Sequence, residues 1–341
     1  MPSPNMKLHQ TSGYRELHSV DPAPSCAVAA VEKSRAPATI FHAPWWLDVV
    51  TAQQWGMVES RHQGNIVGRM PVYYERRGVI TSSRMPMLTH FLGPVIEPSS
   101  GSRNTRFLHE VAVTRDLIRQ LPKLHSFSQK MHRGVTDVIA FQMENFETSA
   151  QFTFEIKPAP ADVIWKNMRD KTRNVMRQAD KIYSVHHDMD GDEFVALYEA
   201  HNEARGRSSD LEPHRLKKII NETLARNSGR IYFVRNQARE CKAAIFCIWD
   251  QQSCYYLLST RAVDSGNGAV TRLLWEAIQN AAAQQRIFDF DGLAYGGAVV
   301  FYAGFGGEIS PRFIVSRSTS TYRLMRETRR CLGVKANPYC I

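Results

Sequence analysis

Residues 287–308 read IFDFDGLAYGGAVVFYAGFGGE. Two carboxylates alternate with two phenylalanines in an otherwise apolar run, and glycines and aromatics follow. Side chains alternate between the faces of a strand, so Asp289 and Asp291 share one face and Phe288 and Phe290 the other. The phenylalanine face packs into a core. The carboxylate face must meet water, a cation, hydrogen-bond donors or a substrate, because a buried carboxylate without a partner is costly. Two readings stay open. One Asp acts as a general base or orients an amine while the other supports it, or both are hydrogen-bonded and fix the turn that follows.

The pattern around this strand is α/β. Upstream, residues 161–182 (ADVIWKNMRDKTRNVMRQADKI) place Ile164, Met168, Val175, Ala179 and Ile182 near helical spacing. A helix over 192–206, ended by Gly206, and one over 212–229, with Pro213 in its first turn, come next. Three strand-like runs follow, RIYFVRN, KAAIFCIWD and SCYYLLST, and DQQS between the last two signals a hairpin. The segment 264–269 (DSGNGA) leads into a helix over 269–285 and then into the 287–292 strand. A short glycine-flanked helix, a strand RFIVSRS and a basic helical tail complete the half. The first half repeats this order loosely: a helix at APWWLDVV, a hairpin around Gly64, strands at LTHFLGPVI, TDVIAFQM and QFTFEIKP, and a helix over 103–122.

Length and composition set the outer bounds. At 341 residues the chain suggests roughly two domains, and 43% hydrophobic residues suffice for a sizeable core. The polar, proline-rich residues 1–38 read as a flexible N-terminal tail. No run approaches about 18 apolar residues, so no membrane span is expected. The six cysteines form no C-x-x-C pair and stand at no zinc-like spacing from histidine, so no metal is expected and a cytoplasmic, reducing location fits. A net charge of +10 allows a polyanionic partner: tRNA, a nucleotide or coenzyme phosphate, or an anionic membrane surface.

Three further motifs are candidates for chemistry. Ser265, Gly266, Asn267 and Gly268 lie between a strand and a helix, where backbone N–H groups and the positive end of the helix dipole can cradle a pyrophosphate. The alternative is a plain connection. Lys171, Arg173 and Arg177 give the 161–182 helix a basic face, either for phosphate or as a solvated flank. His201 falls on an apolar helix face with Phe194, Leu197 and Tyr198, as a core histidine or a cleft residue. No nucleophile elbow, metal constellation or Walker-type loop is present.

HAPWWLDVV near the start, MRDKTRNVMRQADK in the middle and FDFDGLAYGGAVVFYAGFGGE near the end resemble the Fem-type peptidyltransferases and their acetyltransferase-like relatives. The similarity spans about residues 40–317. That superfamily uses the GNAT fold twice in one chain. The resemblance implies tandem GNAT-like modules, 39–155 and 156–330, each a mixed, mostly antiparallel sheet flanked by helices, with a tail at 331–341. It implies acyl transfer onto an amine, from acyl-CoA or from aminoacyl-tRNA. No covalent intermediate is required, which agrees with the missing nucleophile. Two positions depart from the pattern. Val263 stands where the coenzyme A signature has Arg or Gln, and Tyr302 stands where tRNA-dependent members typically have Lys.

The expectation is therefore a GNAT-type N-acyltransferase with acyl-CoA (acetyl-CoA) as co-substrate. Its acceptor would be an amine-bearing sugar, nucleotide-sugar or lipid-linked precursor of cell-surface polysaccharide. Asp291 and Asp289 are the catalytic candidates and the 265–268 backbone the donor cradle. Lys171, Arg173, Arg177, His201 and Tyr302 are the substrate-binding candidates. The alternatives are an aminoacyl-tRNA-dependent peptidoglycan bridge transferase and a non-catalytic GNAT-like binding protein.

Overall fold

In the computed structural model, which describes residues 39–331 except 210, 267 and 292–295, the first half opens with helix α1 (Pro44–Val50), whose proline sits in the first turn. Strands β1 (Trp55–His62) and β2 (Asn65–Tyr73) form the expected hairpin, turning at Gly64 with φ +82°. Short strands β3 (Glu75–Arg77), β4 (Ile80–Ser83) and β5 (Val95–Ile96) follow. Helix α2 (Arg103–Arg119) is capped by Ser102, whose side chain accepts from the Thr105 N–H. Strand β6 (Ser126–Lys130), helix α3 (Ile139–Met143) and strand β7 (Glu147–Ile156) end this half.

The second half runs α4 (Ala161–Asn167), α5 (Asp170–Ile182), β8 (Ser184–His186), α6 (Gly191–Glu203) and α7 (Pro213–Ala225). Strands β9 (Gly229–Arg235), β10 (Cys241–Trp249) and β11 (Ser253–Arg261) come next. Then follow α8 (Gly268–Ala283), β12 (Ile287–Asp289), α9 (Gly296–Ala303), β13 (Glu308–Ser318) and α10 (Ser320–Cys331). Residues 1–38 and 332–341, read as tails, lie outside the described residues.

Ten strands form one sheet in the order β3-β4-β6-β13-β7-β12-β11-β10-β9-β8, and β1-β2-β5 form a second. The ladders are antiparallel except β4–β6 and β11–β12, so the expected mixed, mostly antiparallel α/β architecture is the observed one. The last strand, β13, lies between β6 and β7 of the first half. Along β10, Ala243, Ile245 and Cys247 enter one core with α5 and α8, while Ala244, Phe246 and Ile248 enter a second with α1, α6 and α7. Both faces are covered, which is why KAAIFCIW is a continuous apolar run rather than an alternating one. A third core joins β2, α2, α3, β6 and β13 through Met70, Leu117, Phe141, Phe127 and Val315.

Three local differences from the sequence reading have physical causes. TDVIAFQM does not form a strand: Asp137 accepts the Ile139 N–H (3.1 Å) and starts α3, and a short apolar run does not distinguish helix from strand. The neighbouring ladder strand is the polar SFSQK instead. LTHFLGPVI pairs only at Val95–Ile96 and by an isolated bridge from Leu92 to Met131, because Gly93 (φ +106°) turns the chain and Pro94 has no N–H to give. The 161–182 helix breaks at Met168 and Arg169, both extended. There the Arg169 N–H leaves the helix to donate to the Gly304 carbonyl (3.0 Å), and Arg173 Nη1 donates to the terminal carbonyls of Lys166 (2.9 Å) and Trp165 (3.3 Å).

Candidate functional site

The parallel pair β11–β12 organises the site. It covers only Ser253↔Ile287, Cys254↔Phe288 and Tyr255↔Asp289. β12 then stops, while β11 continues six residues to Arg261, roughly 20 Å at strand rise. The strands part, with Asp289 and Asp291 at one end of the gap and the 262–268 loop at the other.

At the first end a charge cluster is buried. Asp289 has no exposure. Its carboxylate accepts from Arg312 Nη2 (2.8 Å), Thr153 Oγ1 (2.9 Å), the Asp291 backbone N–H (3.0 Å) and Arg133 Nη2 (3.4 Å). Arg312 also pairs with Glu155, and Glu155 with Arg133 (2.8 Å). Burial alone works against the Arg312 charge, but Asp289 and Glu155 outweigh it and raise its pKa. The ring of Phe91 lies 5.5 Å below its guanidinium.

Asp291 stands nearer the surface, its side chain 8% exposed. Its backbone has φ +31°, a conformation that Asn and Asp tolerate better than most residues. Lys130 Nζ donates to both of its oxygens (3.1 and 3.3 Å). His90 Nδ1 is 3.2 Å from its Oδ2 but out of line for a hydrogen bond. Burial lowers the His90 pKa, Asp291 opposes that, and the net shift is downward, so the imidazole is a neutral neighbour of the carboxylate near pH 7. Phe41 and Tyr255 pack against it, with centroids at 5.1 and 6.3 Å.

The described aromatics and glycines of 296–307 pack on the other face of the strand. Phe288 and Phe290 enter the core, as the alternation requires. Tyr302 on α9 stacks on Phe290 (4.8 Å) and meets Tyr256 edge-on (6.2 Å). A Cβ on Gly304 would fall 2.4 Å from Thr172 Oγ1, and one on Gly306 (φ +78°) 2.3 Å from the Asn167 carbonyl oxygen. The α9–β13 turn thus seats directly on the α4–α5 break.

At the second end lies a groove of about 630 Å³ between α5 and the loop before α8, with Lys171, Val175, Gln178, Ile182, Tyr183, Ser265, Gly266 and Gly268 on its walls. The loop is held by its carbonyls. Tyr183 Oη donates to Ser265 O (2.8 Å), Arg261 Nη1 to Gly266 O (3.1 Å) and Ser265 Oγ to Ala262 O (2.9 Å). The first amides of α8 have no partner within the helix and face outward from its start.

The structure therefore brings Ser265, Gly266, Gly268 and Lys171 together, while Asn267 lies outside the described residues. Arg173 is committed to the end of α4 and to Asp170. Arg177 donates to Asn174 (2.8 Å) and lies over Trp165. His201 is buried on α6, its Nδ1 3.0 Å from Thr260 Oγ1, on the sheet face opposite the groove, and burial followed by the Arg205 charge lowers its pKa. His90, Lys130, Arg133, Thr153, Glu155 and Arg312 were not singled out from sequence. Arg312, a charge inside the strand run EISPRFIV, was the one signal available.

Residues 166–298 match the family described as an acetyltransferase (GNAT) domain. No curated protein matches the chain by sequence. Among solved structures, FemX superposes with a TM-score of 0.63 at 10% identity, over 87% of this chain and 96% of FemX. L-PGS from Bacillus licheniformis does so with a TM-score of 0.54 at 13% identity, over 94% of this chain and 100% of L-PGS. At such identities the likeness is one of fold, and the fold is of GNAT acyltransferase type.

Proposed function

We propose that this GNAT-superfamily protein of Fem-like fold is an N-acyltransferase, working in the cytoplasm on an amine acceptor. The supporting observation is the parted β11–β12 pair. It has the groove lined by Lys171, Ser265, Gly266 and Gly268 at one end and a carboxylate beside neutral His90 at the other. An extended donor lying along the gap would reach both ends. On this reading 39–155 and 156–330 are two GNAT-like modules, and the gap belongs to the second.

The reaction follows from the placement. The acceptor amine attacks the acyl carbonyl, a C–N bond forms, and the C–S bond of a thioester breaks. Asp291 takes the proton that the amine loses, Lys130 holds the carboxylate in place through both of its oxygens, and the neutral His90 ring packs beside it. N–H groups on the free edge of β11 stabilise the developing oxyanion. Asp289, saturated by four donors, positions Asp291 through the backbone N–H of that residue. The donor is acyl-CoA, with its phosphates at 265–268. The acceptor is an amino sugar, nucleotide-sugar or lipid-linked precursor for cell-surface polysaccharide. Likeness to FemX over most of the chain, together with Val263 in the coenzyme A signature, supports a second reading in which the donor is aminoacyl-tRNA and an ester C–O bond breaks.

Calorimetric titration with acetyl-CoA and one long-chain acyl-CoA separates the two, with Gly268→Trp as control. The Gly268 Cβ would already lie 3.4 Å from Ala179 Cβ, so an indole there must enter the groove. Binding that the variant abolishes, with its melting temperature unchanged, supports the coenzyme A donor. No binding to either ligand, together with RNase-sensitive transfer from charged tRNA, supports the second reading. Absence of both, with Asp291→Asn silent in cells, sinks the enzyme reading and leaves a binding protein.

A further inference from the structure

Where α3 leads into β7, and on α10, which Arg323 ties to Glu147 at the start of β7, three large apolar side chains stand in solvent: Ile139 (41% exposed), Met143 (50%) and Leu324 (70%). Ile139 and Met143 are one helical turn apart, hence neighbours on one face. The corner is tied together by charge. Arg115 and Arg119 of α2 pair with Glu144 at the end of α3 (2.9 and 3.2 Å), Arg317 of β13 donates to the Glu144 carbonyl (3.4 Å), and Arg323 of α10 pairs with Glu147 of β7 (2.8 Å). Arg323 and Arg317 remain exposed in spite of these bonds, and Arg326 is exposed beside them. Tyr322 and Met325 are partly buried, which anchors the helix and leaves Leu324 and the arginines outward.

Exposed apolar side chains beside arginines match a surface that offers anionic headgroups above an acyl interior. A nucleic acid would use the arginines but leave Ile139, Met143 and Leu324 without a partner. We propose that this corner docks on an anionic lipid surface, with Ile139, Met143 and Leu324 entering the headgroup boundary and Arg317, Arg323 and Arg326 meeting phosphates. This inference does not depend on the donor or the acceptor.

The test is co-sedimentation of the full chain with vesicles of pure phosphatidylcholine and of phosphatidylcholine with one third phosphatidylglycerol. The expected result is partition to the anionic vesicles only, weakening as salt rises. Each arginine near such a surface is worth roughly fivefold in partition, so Arg323→Gln with Arg326→Gln should reduce it about 30-fold. Met143→Glu with Leu324→Glu should reduce it at least as much. Circular dichroism and melting temperature confirm that both variants fold. Partition equal to wild type in both variants, or none to either vesicle, overturns the proposal. RNA binding in place of vesicle binding, lost in the arginine variant, also overturns it and assigns the corner to nucleic acid.

Discussion

The two aspartates of the 287–291 strand should fail in opposite ways when neutralised. Among the described residues the cluster holds three carboxylates (Glu155, Asp289, Asp291) and three cations (Lys130, Arg133, Arg312). Asp289→Asn keeps the volume and leaves an acceptor for Thr153 and for the Asp291 N–H. It removes one negative charge from a site with no solvent exposure. Breaking a buried pair by removing one partner costs about 3–5 kcal/mol. Arg312 retains Glu155, so the lower end, about 3 kcal/mol, is expected. At this chain length that is about 4 °C in Tm.

Asp291→Asn takes a charge from a site at the edge, and Lys130, with 13% of its side chain exposed, can turn toward water. Asn also suits φ +31°. The expected stability loss is about 1.5 kcal/mol, the lower end for a hydrogen bond to a charged group, while turnover should fall by roughly 10²–10⁴ if the carboxylate takes the amine proton. Urea unfolding followed by circular dichroism gives the first quantity, and transfer rates with the donor that binds give the second. An Asp289→Asn protein within 1 kcal/mol of wild type but inactive, or an Asp291→Asn protein with full turnover, would refute the division of roles.

Three other outcomes follow from single sites. Gly306→Ala places a Cβ 2.3 Å from a backbone carbonyl at φ +78°, so a loss of at least about 2 kcal/mol in a thermal melt is expected. Asp250→Ala removes the acceptor shared by the N–H groups of Ile40, Gln252 and Ser253 and by Tyr255 Oη (3.1, 2.9, 2.9 and 2.8 Å). It should cost about 3 kcal/mol and speed hydrogen exchange at residues 39–43. Burial, and then the nearby His132, lower the pKa of His42 to about 3, and burial lowers that of His132. Native His42 and His132 stay neutral while the unfolded chain binds protons below its ordinary histidine pKa. The His42 contribution is therefore full above about pH 6.5 and is lost as pH falls toward 3, at roughly 1.4 kcal/mol per pH unit, and His132 adds to the loss in the same direction. His42→Gln should flatten that acid limb in urea titrations at several pH values.

How much of this was legible follows from which interactions are local. The alternation of Phe288, Asp289, Phe290 and Asp291 sorted core from polar face correctly because period two is a property of the strand itself. The β10–β11 hairpin and α8 were readable for the same reason. What paired with Asp289 was not. Its partners come from β7, from β13 and from the loop after β6, and Arg133 and Thr153 are 156 and 136 residues away in sequence. No spacing rule links them. The break in the 161–182 helix was equally hidden, since it contains no Gly or Pro and is imposed by Gly304 and Gly306 from far along the chain.

The same non-local pairing bears on whether the second half folds by itself. β13 gains nine register pairs from β7 and five from β6, and both neighbours belong to the first half. A chain starting at residue 156 would leave both edges of β13 open and take Thr153 and Glu155 from the Asp289–Arg312 pair. It would also remove Lys130 from Asp291. An open strand edge offers unpaired N–H and C=O groups to other chains, and a buried pair stripped of its supports costs several kcal/mol. Against a typical total of about 5–15 kcal/mol for a domain, those losses are enough to abolish folding. Residues 156–341 expressed alone should therefore aggregate or give no cooperative urea transition, and co-expression with 39–155 should restore one. A soluble 156–341 fragment that unfolds cooperatively near the melting temperature of the whole chain would show that β13 does not need the first half.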